Sequence, residues 1–372
     1  MEFIRHTTGP NFLCSVEISA FRPECGGETE YHFILKPSSG GSFEQQLAQL
    51  HSCLKQILCQ PEYVNARPEF IRYFLSDPMS QRQWIRSQQE FRPSCPVSVI
   101  GQSPADGTHV ALWVYLREKK PAQERRENAF LFFWTTERYC TAGNVTQQTQ
   151  KLLMDYEQWL RANGCSIMGN CIRTWFYVKD IDNNYTAFAK ARTEYFARIG
   201  MTDKTHYIAS TGIEGTSASA GSFVTMDAFA IAGIKPAQIQ YLHGLSHLSP
   251  THIYGVTFER GTTVSFPDRK HIYISGTASI DNHGNVLFLN DVKAQAMRML
   301  ENVQVLLSEA GAGLADVAQI IVYLRNREDY PVVRDILSGK LPPAPVVYTL
   351  GRVCRPSWLI EMECIAVIPF VQ

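Results

Sequence analysis

The strongest constraint on this chain is a pattern that occurs three times. An apolar helix face at Leu47, Leu50, Leu54 and Leu58 leads to FIRYFLSD at 70–77. A second face, at Leu152, Tyr156, Trp159 and Leu160, leads to IRTWFYVKD at 172–180. A third, at Ala296, Leu300, Val303 and Leu307, leads to IIVYLRN at 320–326. Each helix shows the i, i+3/i+4, i+7 spacing of one buried face. A strand and a Gly-containing turn precede each helix, in YHFILKPSSGG, AFLFFWTTERYCTAGN and HIYISGTASIDNHGN. A short helix and a hairpin pattern follow each strand, the hairpins being 95–116, 206–231 and 345–367. Self-similarity at this scale predicts repeated supersecondary units. The expectation is α+β, with three β–β–α–β–α–β–β units near 10–118, 125–233 and 250–370. The corresponding domains are 1–124, 125–249 and 250–372. KKPAQERRE (119–127) and 233–250 read as linkers, on their Pro, Gly and polar content.

Within the last hairpin, two apolar runs are joined by a loop holding Arg355 and Pro356. The second run carries Glu361 and Glu363, which point to one strand face. A carboxyl in so apolar a strand is costly to bury unless paired or protonated. The alternative is that both acids sit on the wet face of an edge strand.

Composition narrows the function classes. The 35 basic residues equal the 35 acidic ones, so no field favours nucleic acid or a membrane surface. The ten cysteines show no CxxC or regular framework and read as reduced cytoplasmic thiols. The first ten residues lack the apolar region of a signal peptide, and no run reaches the length of a membrane span. Neither HExxH-like spacing nor a GxGxxG opening a helix is present, so no metal or organic cofactor is expected.

The third unit resembles the Rid (reactive intermediate deaminase) family in four features. They are HIYISGTASIDNHGNV, a long amphipathic helix ending in EAG, VYLRNREDY with a proline-rich turn after it, and LIEMECIAV. The resemblance implies a chorismate-mutase-like α+β fold, usually trimeric, with ligand sites between subunits. Three units in one chain would then form an intramolecular pseudo-trimer, with central sheets and outer helices. Over 130–370 the chain resembles a narrower group, the chorismatases. RTWFYVKDIDNNYTAFAKARTEYF (173–196), ASTGIEG (209–215) and GRVCRPSWLIEMECIAV (351–367) carry that likeness.

The resemblance implies roles for individual residues. Glu361 falls on the acid of these sites, with Leu112 and Thr225 as its counterparts in the other units, so one active site is expected. Glu363 receives no role. Arg334 and Arg173 are expected to hold substrate carboxylates. Arg334 can instead be a surface helix charge, and Arg173 a structural partner of Asp180 or Glu194. Gly261, Ser275 and Gly276 occupy pocket-lining positions, and Tyr207 and Tyr348 are phenol contacts. Cys354 resembles the loop cysteine of the 3-hydroxybenzoate-forming type, the alternative being an inert thiol. Pro345 replaces the arginine of the deaminases' Pro-Ala-Arg run, against imine deamination. The implied activity is cleavage of the enolpyruvyl ether of chorismate to pyruvate and 3-hydroxybenzoate, or to a cyclohexadiene diol acid. The competing readings are a Rid-type enamine or imine deaminase and a non-catalytic ligand-binding module. A small dicarboxylate is the expected partner, without nucleic acid or membrane, for a monomer or weak homo-oligomer.

Overall fold

Three sheets follow one another along the chain in a computed structural model that describes residues 1–6, 13–24, 27–38, 40–87, 93–118 and 130–370. The stretch 119–127, read as the first linker, lies outside the described residues. The first sheet holds β1 (Glu2–His6), β2 (Cys14–Phe21), β3 (Glu30–Pro37), β4 (Ala66–Leu75), β5 (Val97–Gly101) and β6 (Val110–Glu118). Helix α1 (Phe43–Leu58) joins β3 to β4, and α2 (Pro78–Ser87) joins β4 to β5. The second sheet holds β7 (Leu131–Tyr139), β8 (Cys171–Val178), β9 (Ala209–Glu214) and β10 (Val224–Ala232). Its helices are α3 (Val145–Ala162), the short α4 (Ile167–Asn170) and α5 (Ile181–Arg198). The third sheet holds β11 (Ile239–Leu242), β12 (Gly261–Ser265), β13 (Arg269–Ala278), β14 (Val317–Leu324), β15 (Val346–Leu350) and β16 (Ile360–Pro369). Its helices are α6 (Val292–Glu309) and α7 (Tyr330–Ser338).

Strand order repeats with the sequence. The runs β3-β6-β4-β5, β7-β10-β8-β9 and β13-β16-β14-β15 are the same arrangement. In each, the last two strands pair in parallel, which requires a crossover, supplied by α2, α5 and α7. The long helices start alike, because each first turn has backbone N–H groups to satisfy. Ser42 and Asn144 each form a capping box with a glutamine three residues on, and Asp291 accepts from the Ala294 N–H. Two features differ from the sequence expectation. The middle unit opens on the single strand β7 rather than a hairpin. The stretch 233–250, read as a linker, contributes β11 to the third sheet, paired with β12.

The sheets close head to tail into a ring. Strand β5 packs on β7, β9 on β13, and β14 on β2 and β3. Isolated bridges Gly101–Thr216, Ile213–Val353 and Pro104–Thr349 stitch the three junctions. Each strand face turned inward joins one cluster that includes Phe70, Trp113, Trp134, Trp175, Phe229 and Tyr273. Trp134 sits near its middle, 4.4 Å from Phe70 and 4.5 Å from Phe229 by ring centroids. The outer faces pack on their own helices, as Leu47, Leu50 and Leu54 do in one unit and Leu152, Tyr156 and Leu160 in another. Burial on both faces explains why β8 and β14 are buried along their whole length. The arrangement is the expected α+β pseudo-trimer, strands inside and helices outside.

Candidate active site

The site grows from one irregularity in pairing. Strand β16 pairs with β13, and the register slips by one between Ile274 and Thr277. The slip sets Gly276 against the side chain of Glu361. A Cβ on Gly276 would fall 2.2 Å from Glu361 Oε1, so any side chain there would displace the carboxyl. Glu361 is only 6% exposed. Burial, reinforced by the charge of Glu363, pushes its carboxyl up to about 8, against the pull of Arg173 and Arg260. At neutral pH it is therefore an acid with a proton to give.

Glu361 opens into a cavity of about 650 Å³ between the middle and C-terminal units. Helix α5 supplies one wall with Tyr185, Ala189 and Lys190. Ala278, Ile280 and Trp358 supply an apolar wall beside the acid. Trp358 is fixed there by its Nε1–H donating to Ser279 O at 2.9 Å. Three cations line the space, Lys190, Arg260 and Arg355, against the carboxyls of Glu194 and Glu361. Arg260 is 4% exposed and donates to Ser249 O at 3.0 Å; Arg355 lies over the Trp358 ring, 5.0 Å from its centroid. Cys354 lines the same cavity. Burial first, and then the charge of Glu361, pushes its thiol up to about 12.

Glu363, two residues along the same face, is 3% exposed and turned to the middle unit. It accepts from Arg173 Nη2 at 2.9 Å, from Trp175 Nε1 at 2.6 Å, and from Thr211 Oγ1. A guanidinium, an indole N–H and a hydroxyl are a donor set that suits a carboxylate.

The structure thus brings Glu361, Cys354 and Gly276 together in one cavity. The other expected residues lie elsewhere, and each needs correction. Arg173 does not line the cavity; the Glu363 carboxylate, rather than Asp180 or Glu194, takes its guanidinium. Arg334 stands on the outer side of α7, whose buried face is Val333 and Leu337, and pairs with Asp335 at 2.8 Å. Tyr348 belongs to the opposite junction: its carbonyl accepts the Ala105 N–H at 2.9 Å and its ring meets Tyr330. Tyr207 lines a second cavity of about 310 Å³ with His243 and Glu259. Gly261 is packed against Leu242, Ile274 and the Tyr273 carbonyl, which a Cβ there would meet at 3.0–3.2 Å. Ser275 is buried as a stitch between units, donating to Glu259 O at 2.6 Å and accepting from Ser210 N–H at 2.9 Å.

Sequence reasoning missed Arg260, Lys190 and Tyr185. Arg260 immediately precedes Gly261, and Tyr185, Ala189 and Thr193 form an i, i+4, i+8 stripe on α5 that marks one face. The counterparts of Glu361 also change slightly. Cross-strand pairing sets Glu361 opposite Tyr323, Thr225 opposite Tyr177, and Ala111, not Leu112, opposite Phe74. A carboxyl occurs at this position in the C-terminal unit alone.

Comparison with known proteins agrees with this architecture. The family model described as endoribonuclease L-PSP matches residues 264–368. A RutC family protein, PYRAB12510, of Pyrococcus abyssi is 36% identical over 98 residues, covering 26% of this chain and 76% of that protein. A 3-hydroxybenzoate synthase of Streptomyces hygroscopicus is 26% identical over 258 residues, covering 62% of this chain and 73% of that protein. A crystal structure of a chorismatase superposes with a TM-score of 0.65 at 19% identity, over 94% of this chain and 99% of the other. The whole chain therefore has the fold of that chorismatase, and through its C-terminal unit it belongs to the RutC family.

Proposed function

We propose that this chain is a chorismatase that converts chorismate to pyruvate and 3-hydroxybenzoate. The observation that carries the reading is Glu361, a buried carboxyl that holds its proton to about pH 8 at the wall of a cation-lined cavity. The 3-hydroxybenzoate synthase relative supports the product.

Chorismate carries two carboxylates and an enolpyruvyl ether. Lys190, Arg260 and Arg355 supply positive charge for the carboxylates, and their placement fixes the pose. Glu361 delivers its proton to the terminal methylene carbon of the enolpyruvyl group, converting it to an oxocarbenium ion. The adjacent ring hydroxyl then displaces this group internally through an arene-oxide-like species, and its proton returns to the Glu361 carboxylate. Ring opening and aromatisation leave 3-hydroxybenzoate and pyruvate. The atoms balance without added water; the diol product would require one water molecule. Cys354, protonated at neutral pH, acts as a weakly hydrated wall rather than as a thiolate.

One chain supplies both walls of the cavity, so a monomer suffices for activity. The test is incubation with chorismate while pyruvate is read by a coupled lactate dehydrogenase and the aromatic product by chromatography. Pyruvate with 3-hydroxybenzoate is the expected result. Ammonia release from imines without pyruvate from chorismate would replace this reading by a deaminase.

A further inference from the structure

Glu363 has no function on sequence grounds, yet it is the best-anchored carboxyl near the cavity. It points to the same side of β16 as Glu361. Arg173, Trp175 and Thr211 of the middle unit all donate to it. Thr211 Oγ1 also accepts the Gly276 N–H at 2.9 Å. Gly276 is the residue against which the Glu361 carboxyl lies. A hydrogen-bonded path therefore runs from Arg173 through Glu363 and Thr211 to the backbone that packs on the acid.

We propose that Glu363 is the positioning residue of this site: a fixed negative charge, anchored by Arg173, Trp175 and Thr211, that keeps the Glu361 carboxyl protonated and seated against Gly276. The proposal rests on the reading of Glu361 as the acid. The ionisable groups around Glu361 are Glu363 on its own strand, Arg173 on β8, Tyr323 on β14, Arg260 before β12, Cys354 and Arg355 in the preceding loop, and Tyr185, Lys190 and Glu194 on α5. Among the charges acting on Glu361, Arg173 and Arg260 favour the carboxylate, and Glu363 is the like charge that opposes them.

The middle unit supplies an internal control. Asp227, the counterpart of Glu363, is anchored by Arg72 at 3.0 Å and by Ser98 at 2.5 Å, but Thr225 stands where Glu361 would be. That anchor clamps two units and also accepts the Glu137 N–H at 2.9 Å, but the acid it meets there is Glu137 on β7, not a residue at the Glu361 position. A merely structural Glu363 would behave as Asp227 does.

The experiment is a carboxyl titration of the full chain labelled with ¹³C-glutamate, the Glu361 signal being assigned by its loss in Glu361→Gln. Glu363→Gln should lower the Glu361 midpoint by about one pH unit or more, because a like charge is removed. The basic limb of the pyruvate-release profile should move down with it, while Asp227→Asn moves neither. If Glu363→Gln does not fold, the double variant Glu363→Gln/Arg173→Met removes both charges of the pair, and the midpoint should move the same way by less. An unmoved midpoint in either folded variant overturns the proposal. The titration needs no turnover, so wild-type protein that releases no pyruvate would sink the functional reading while leaving this one to be decided by the midpoint.

Discussion

Arg173 Nη2 and Glu363 Oε2 lie 2.9 Å apart across the junction of two units, and both side chains are essentially buried. A second pair, Arg72 and Asp227, joins the first unit to the middle one at 3.0 Å. At the third junction the counterpart position is Trp113, which donates to His32 at 3.1 Å instead. The two ion pairs make Arg173 a structural residue rather than a clamp for substrate. Removing one partner of a buried pair leaves an uncompensated charge and costs about 3–5 kcal/mol. Arg173→Ala should therefore lower the unfolding free energy, measured by denaturant titration, by that amount. Full stability with only a raised KM would return Arg173 to the binding site.

Glu361 predicts a pH profile. An acid that must be protonated keeps its activity below its pKa and loses it above, so turnover should fall about tenfold per pH unit beyond about pH 8. Glu361→Gln keeps the shape but has no proton, and should lower turnover by about 10²–10⁴-fold. The same group carries a stability cost of opposite sense. Its folded pKa lies above the ordinary 4.5, so the folded state binds the extra proton between about 4.5 and 8. Stability attributable to Glu361 is therefore complete below 4.5 and declines as pH rises to about 8. Glu361→Gln should melt at a higher temperature than wild type at pH 8, with the difference shrinking toward pH 5. A variant that is fully active, or no more stable at pH 8 than at pH 5 relative to wild type, contradicts the assignment.

The fold was legible because its signals are local. The 3.6-residue faces of α1, α3 and α6 and the Gly-containing turns before them stand close together in the sequence. The single strand β7 was less so: an unbroken run such as AFLFFWTTERYC has the composition of either a hairpin arm or one long strand. The apolar strand alone left Glu361 and Glu363 equivalent and a wet edge strand open; the acid was legible through the likeness of GRVCRPSWLIEMECIAV to the chorismatases. Its anchoring was not, since Glu363 and Arg173 are 190 residues apart and nothing local pairs them. Arg334 was misplaced because a motif position says where a residue falls on a helix, whereas packing of Val333 and Leu337 decides which way that helix turns.

That misplacement has a testable consequence. The side chain of Arg334 is half-exposed and already paired with its neighbour Asp335, outside the cavity. Arg334→Ala should leave KM and turnover unchanged. Arg260→Ala and Lys190→Ala should each raise KM about tenfold or more, since a charge-assisted hydrogen bond contributes roughly 1.5–3 kcal/mol. The reverse ordering, with Arg334 sensitive and the two cavity cations silent, would move the carboxylate sites out of this cavity.

Product choice should depend on Cys354. Its thiol lines the cavity beside Glu361 and, with its pKa pushed up to about 12, remains S–H at neutral pH. A protonated, partly buried thiol is a poor nucleophile, so iodoacetamide at pH 8 should modify it far more slowly than the exposed Cys59. Its part is to occupy space next to the activated ether. Cys354→Ala opens roughly the room one water needs. A water there competes with the ring hydroxyl for the activated carbon, and the product of that attack is the non-aromatic diol. Cys354→Ala should slow 3-hydroxybenzoate formation and raise the diol share, while total pyruvate falls less than it does in Glu361→Gln. Cys354→Ser, which keeps the volume closely but adds a strong hydrogen-bonding group, should also raise the diol share by holding a water in place. Chromatography of the products from the wild type and the two variants decides the matter. An unchanged ratio in both would remove Cys354 from product control and leave it as a packed thiol.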